Sequence, residues 1–175
     1  MKATGIVRRI DDLGRIVIPK EIRRTMRIRE GDPLEIYTGL DGELVFKKYS
    51  MIGELSEFAG EYCEALNKCG GLKAVIFDRD GVIACAGLSK KEHIGLKATP
   101  EIEALFEKRS LYSYSGDERQ IILHNSYISV LMPIIVEGDV IGAVASLKDN
   151  DAKVTESEQK LIATAASFLA KQLES

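Results

Sequence analysis

The chain has 175 residues, 45 % of them apolar and 29 % charged, with a formal net charge of −3 at pH 7, figures that fit one ordinary globular domain or two small ones. No run approaches the roughly 18 uninterrupted apolar residues of a membrane helix. The N-terminus MKATGIVRR lacks an apolar core followed by a cleavage site, so the expected location is cytoplasmic and no membrane partner is expected.

Charge is unevenly spread. Met1 to Arg29 holds nine basic residues (Lys2, Arg8, Arg9, Arg15, Lys20, Arg23, Arg24, Arg27, Arg29) against three acids (Asp11, Asp12, Glu21), a surplus of +6 that leaves −9 for the remainder. One end of such a chain suits a polyanion while the other keeps it soluble.

In chain order, Thr4 to Ile10 reads as a strand, Asp11-Asp12-Leu13-Gly14 as a turn, and Arg15 to Ile18 as a second short strand. Pro19 ends that strand, and its fixed φ fits the first turn of a helix over Lys20 to Arg27, with Ile22 and Met26 on one face. Gly31 is the stop. Pro33 to Thr38 and Glu43 to Tyr49 follow as strands joined near Asp41-Gly42, a strong hairpin signal. This β-β-α-β-β unit is dominated by strands and buries too little apolar surface to stand alone, so two copies are expected to share one barrel-like core as a homodimer.

If Arg8, Arg15, Arg23 and Arg24 each neutralise one phosphate, a dimer makes about eight contacts and its affinity falls with salt at a log–log slope near −7. The competing view is a solvated face whose arginines pair locally with Asp11, Asp12 and Glu21.

The stretch TGIVRRIDDLGRIVIPKEIRRTMRIREGDPLEIY closely resembles the DNA-binding domain of the AbrB-type transition-state regulators, from Met1 to about Tyr49 and without an evident gap. The resemblance implies an intertwined, swapped-hairpin dimer that binds double-stranded DNA. It also implies that arginines of the VR, LGR and IRR positions, here Arg8, Arg15, Arg23 and Arg24, contact DNA, with Arg9 and Lys2 as weaker additions. Recognition in that family leans on DNA shape and flexibility. The wider superfamily also contains antitoxins that bind a protein toxin, so fold alone does not decide function.

From residue 51 the period becomes helical. Ile52, Leu55, Ala59, Tyr62, Leu66 and Cys69 mark a seam on a helix from Ile52 to Lys68, ended by Gly70-Gly71. Leu72 to Phe77 and Val82 to Ala86 form a hairpin, and a polar loop runs through Lys97. Thr99-Pro100 opens a helix to Arg109 carrying Ile102, Leu105 and Phe106. Strands are expected at Gln120 to Leu123, Tyr127 to Val136 and Val140 to Leu147. Thr155-Glu156-Ser157-Glu158 is a capping box for a final helix, with a stripe of Leu161, Ala165, Phe168 or Leu169, and Gln172 or Leu173. The order predicts an α+β domain, an antiparallel sheet with helices segregated on one face.

The run PIIVEGDVIGAVASL followed by TESEQKLIATAASFLA resembles the end of a GAF domain, a family of small-molecule sensing and dimerising modules, over residues 51–175. The domain boundary is therefore expected at residue 50. GAF resemblance places an unidentified small-molecule ligand, if one binds, near Ser89 to Leu111; no cofactor is predicted and no cofactor-binding residue is named.

His93 and His124 are isolated in sequence and read as structural residues, so no metal ligands are assigned. Cys63, Cys69 and Cys85 read as buried free thiols, and no catalytic constellation is visible, so no enzyme activity is expected. Both halves in this order resemble a sporulation transcription regulator of endospore-forming bacteria. The expectation is a DNA-binding regulator, activating or repressing, that pairs through residues 1–50 and forms a homotetramer through helices near 52–68 and 161–173. An antitoxin-like module and a GAF enzyme with a DNA-binding arm are the alternatives.

Overall fold

The protein, seen in a computed structural model that describes residues 5–54, 56–150 and 152–174, divides into two compact units, Met1–Tyr49 and Ser50–Ser175. In the first unit residues 5–18 form no strand ladder within the chain. A turn folds them back, with the Gly14 N–H bonded to the Asp11 carbonyl and the Asp11 N–H to the Arg15 carbonyl, both at 3.0 Å. Gly14 supplies φ +75°, which a side chain would resist. The strands expected at Thr4 to Ile10 and Arg15 to Ile18 therefore do not form among the described residues of one chain. Thr4 itself, like Lys2, lies outside the described residues. Apolar side chains suited to an inner face are in solvent instead: Val7 is 85 % exposed, Leu13 70 % and Val17 72 %. Strands are held by the ladders of their neighbours, and the described residues of one chain form no such ladder here.

Helix α1 spans Lys20–Thr25, directly after Pro19 at φ −56°. It ends two residues before the expected Arg27, because Arg27 turns left-handed at φ +52° and the Ile28 N–H reaches back to the Arg23 carbonyl at 2.7 Å. Strands β1 (Leu34–Thr38) and β2 (Leu44–Lys48) pair antiparallel, Leu34 opposite Lys48 and Thr38 opposite Leu44. Asp32 ties the helix exit to this hairpin: its Oδ2 accepts from the Arg29 N–H at 2.8 Å and lies 3.6 Å from Lys48 Nζ.

The second unit opens with α2 (Met51–Glu54) and α3 (Ser56–Gly70), then β3 (Lys73–Asp78), β4 (Val82–Ala86), α4 (Lys90–His93), α5 (Pro100–Glu107), β5 (Tyr112–Ser113), β6 (Ile122–Leu123), β7 (Ser126–Val136), β8 (Asp139–Lys148) and α6 (Glu156–Leu173). The antiparallel sheet runs β4-β3-β8-β7-β5, with β6 also on β7. Its long central hairpin turns at Glu137 (φ +49°) and Gly138 (φ +88°), the two left-handed residues of a tight two-residue loop. Gly142 lets β8 come close to β3: a Cβ there would sit 2.1 Å from the Phe77 carbonyl oxygen.

Helices cover both faces of this sheet, not one. Ile52, Ala59, Cys63 and Leu66 from α2 and α3, with Ile162, Ala165 and Leu169 from α6, pack on Ala74, Ile76, Val130, Ile134 and Val144. On the other side Ile102, Leu105 and Phe106 of α5 pack on Val75, Phe77, Ile128, Leu131, Ala143 and Ala145. Neighbouring residues of β3 and β8 thus feed opposite layers, and β7 is buried almost throughout, so a single layer of helices would leave an apolar face wet.

The helical stripes also shift. Cys63 replaces Cys69, which is exposed, and Leu55 lies outside the described residues. On α6 the buried line is Glu158, Ile162, Ala165, Ala166 and Leu169, while Phe168 is 41 % exposed.

Candidate nucleic-acid interface

The expected DNA-contacting arginines fall in two places. Arg8, Arg9 and Arg15 flank the turn at residues 11–14; Arg23 and Arg24 sit side by side on α1. All five are exposed. Arg15 is held locally: its Nε lies 2.8 Å from Asp11 Oδ2. The other oxygen of Asp11 accepts from the backbone N–H groups of Leu13 (3.0 Å) and Arg15 (2.8 Å). The Arg15 backbone N–H and guanidinium hold the Asp11 carboxyl below its usual range. This aspartate shapes the turn and clasps one arginine at once.

Among the described residues Arg8 donates only to the Val7 carbonyl, at 3.2 Å. No ion pair among the described residues engages Arg8, Arg9, Arg23 or Arg24. The local-pairing view therefore describes Arg15 and not the others. Lys2 lies outside the described residues. Cationic side chains free of local carboxylates keep their charge available for phosphates, and their counterions are released on contact.

In the second unit the segment from Ser89 to Leu111 contains α4 and α5. The layer beneath α5 is filled by Phe77, Ile102, Leu105, Phe106, Ile128 and Leu131, all nearly or fully buried, with Phe77 and Phe106 in an edge contact at 5.9 Å. Burial pushes the Cys63 thiol up to about 12, with Cys85 nearby adding to the shift, and burial raises Cys85 as well. Thiols so placed are protonated at neutral pH, the reverse of what a nucleophilic cysteine requires.

Two features escaped the sequence. Glu158, 4 % exposed at the start of α6, accepts from Ser129 and Ser146 hydroxyls, each at 2.7 Å, and pairs with Lys148 Nζ at 2.9 Å. The capping box marks Glu158 as a helix-start residue, yet nothing in it signals burial beneath the sheet's serines. His93 and His124 were separate in sequence and are neighbours in space, ring centres 5.2 Å apart.

Comparison with known proteins matches both units. Residues 54–174 match the family described as stage V sporulation protein T C-terminal, transcription factor. Residues 7–53 match the family described as antidote-toxin recognition MazE, bacterial antitoxin. Stage V sporulation protein T of Bacillus subtilis (strain 168) is 49 % identical over 180 residues, spanning 99 % of each chain. The transition state regulatory protein AbrB of the same organism is 46 % identical over 76 residues, 43 % of this chain and 77 % of that one. Among solved structures, the GAF domain of an Acinetobacter phosphoenolpyruvate-protein phosphotransferase aligns with a TM-score of 0.54 at 10 % identity, covering 68 % of this chain and 81 % of that one, so the second unit has the GAF fold.

Proposed function

Since the chain belongs to the stage V sporulation protein T family, we propose that it is a DNA-binding transcription regulator of sporulation genes whose N-terminal arginines grip the duplex. The observation that carries this reading is the set of exposed arginines Arg8, Arg9, Arg23 and Arg24, none with a carboxylate partner among the described residues, on the unit that is similar to AbrB. Arg8, Arg15, Arg23 and Arg24 are the principal contacts; Arg9 and Lys2 add to them.

The binding species is a homodimer through residues 1–50. Val7, Ile10, Leu13, Val17, Leu40 and Leu44 are each more than half exposed in a single chain, apolar surface that a second copy would cover. Such pairing would also give residues 5–18 their missing ladder. Two such dimers join through the second unit, where Phe58 and Tyr62 of α3 cluster with Phe168 of α6, Tyr62 and Phe168 stacking at 5.5 Å. Tethering two DNA-binding barrels raises the effective concentration of each at the duplex, so weak contacts suffice.

The chain acts as a regulator and not as an enzyme. An effector entering beneath α5 would have to reshape the packing of Ile102, Leu105 and Phe106. The match of residues 7–53 to an antitoxin family favours toxin binding as a second reading. Against it stands the C-terminal unit, a folded domain where such antitoxins carry a disordered wrapping tail.

Charge reversal at Arg23 and Arg24 tests the proposal. Binding to duplex DNA, followed by fluorescence anisotropy, should vanish at moderate salt while sedimentation shows the oligomer unchanged. Retained binding with an intact oligomer would refute the assignment.

A further inference from the structure

Two imidazoles far apart in the sequence meet in the second unit. His93 ends α4 and is 5 % exposed; His124 stands at the surface in the two-residue turn between β6 and β7, where Leu123 pairs with Ser126. Their ring centres are 5.2 Å apart and their planes are inclined at 73°. His93 Nδ1 lies 2.9 Å from the Ser89 carbonyl oxygen. A carbonyl can only accept, so Nδ1 carries the proton and the neutral ring keeps a lone pair on Nε2. No hydrogen bond among the described residues uses Nε2 of His93 or either ring nitrogen of His124.

We propose that His93 and His124 form a two-imidazole site for a transition-metal cation of the Zn2+ type, completed by water or a small anionic ligand. The separation fits. An ion about 2.0 to 2.1 Å from each coordinating nitrogen, at a near-tetrahedral angle, sets the two ring centres roughly 5 Å apart. The bond from Nδ1 to a main-chain carbonyl is the arrangement that fixes tautomer and ring direction in metal-bound histidines. Imidazole pairs select Zn2+, Cu2+ or Ni2+ over Mg2+ and Ca2+, which require oxygen donors.

No group of three or more His, Cys, Asp or Glu side chains suited to a metal occurs among the described residues. The described residues therefore supply two ligands and leave the other positions open. Closed structural zinc sites use four protein ligands, whereas sites with vacant positions exchange a bound molecule. The location gives such an ion a mechanical role. Leu88 and Leu96, on either side of α4, and Leu123, next to His124, belong to the apolar layer beneath α5. An ion bridging the two histidines would brace the rim of that layer.

The full-length protein should take up one Zn2+ per chain in equilibrium dialysis, with millimolar Mg2+ failing to compete. Co2+ should give the visible spectrum of a nitrogen-ligated, low-coordinate ion. His124→Asn, an exposed turn substitution that tolerates the left-handed backbone, and His93→Gln should each weaken uptake at least about tenfold. A Cys69→Ser variant, which removes the exposed thiol, should bind as tightly as the parent. Absence of uptake by the parent protein would overturn the site, as would uptake that survives His124→Asn or disappears with Cys69→Ser.

Discussion

Removing the cation at the buried start of α6 should destabilise the second unit far more than an ordinary surface pair would. Lys148 is 16 % exposed in its side chain and Glu158 4 %, and their contact at 2.9 Å is only part of the lysine's work. Lys148 Nζ also donates to the Ala152 carbonyl at 3.2 Å and the Lys153 carbonyl at 2.7 Å, so all three ammonium protons are engaged. Lys148→Met keeps the stem and deletes the charge. It leaves a buried carboxylate supported by Ser129 and Ser146 alone, a loss of about 3 to 5 kcal/mol. Domains of this size are stable by roughly 5 to 15 kcal/mol, so the unit should melt about 10 to 15 °C lower. Calorimetry of the full chain would read the shift, and hydrogen exchange at the β7 and β8 amides would assign it to this unit. Adding Glu158→Gln to Lys148→Met should recover part of the loss. A single-variant cost below about 1 kcal/mol, the range of exposed pairs, would refute the claim that the pair is desolvated.

Acid should act through the same carboxylate. Burial pushes the Glu158 carboxyl up, but hydrogen bonds from Ser129, Lys148 and Ser146 outweigh it and hold the group below its usual 4.5. A depressed folded-state carboxyl contributes stability that is present above about pH 4.5 and lost as pH falls through the folded value. Melting temperature measured from pH 6 to pH 3 should drop more gently for Glu158→Gln than for the parent protein. The salt dependence of DNA binding should show a log–log slope near −7 if eight phosphates are met per dimer, falling to about −4 for Arg23→Ala with Arg24→Ala. An unchanged slope would remove those two residues from the contact set. Asp11→Asn should strengthen DNA binding at fixed salt by releasing Arg15 and removing a nearby negative charge, read by anisotropy titration. Val17→Glu should shift the N-terminal dimer toward single chains in sedimentation, since it places charge on the surface that pairing would cover.

Local chemistry was the legible part of this chain. Thr99 and Thr155 cap α5 and α6 as their spacing implies, the Thr99 Oγ1 accepting from Ile102 N–H at 3.4 Å and the Thr155 Oγ1 from Glu158 N–H at 3.1 Å. Gly71 at φ +63° closes α3, and the Glu137-Gly138 turn joins the longest strands. What periodicity could not supply was the direction each element faces. The final helix offers Leu161, Ala165 and either Phe168 or Leu169 as its stripe; Ala165 and Leu169 are buried, but so are Glu158 and Ile162, because two serines and a lysine satisfy the carboxylate, while Phe168 stays at the edge against Phe58 and Tyr62. Helix α4 and strand β5 are too short to leave a period. The basic character of the proposed interface was visible in the residue counts, whereas the Asp11–Arg15 clasp needed coordinates to separate it from the other acids nearby.

Glu158 also acts as an indexing pin for α6. Phe168 lies ten residues further on, just under three turns, so it emerges about 80° around the helix from the anchored carboxylate. That offset puts the ring at the margin of the buried face, beside Phe58 and Tyr62. Inserting a single residue between the two positions would swing the ring about 100° back across the anchored carboxylate, to within about 20° of its direction, while leaving composition and helix length nearly untouched. The phase of one screw axis, set by a charge at its origin, thus decides whether the aromatic trio exists at all.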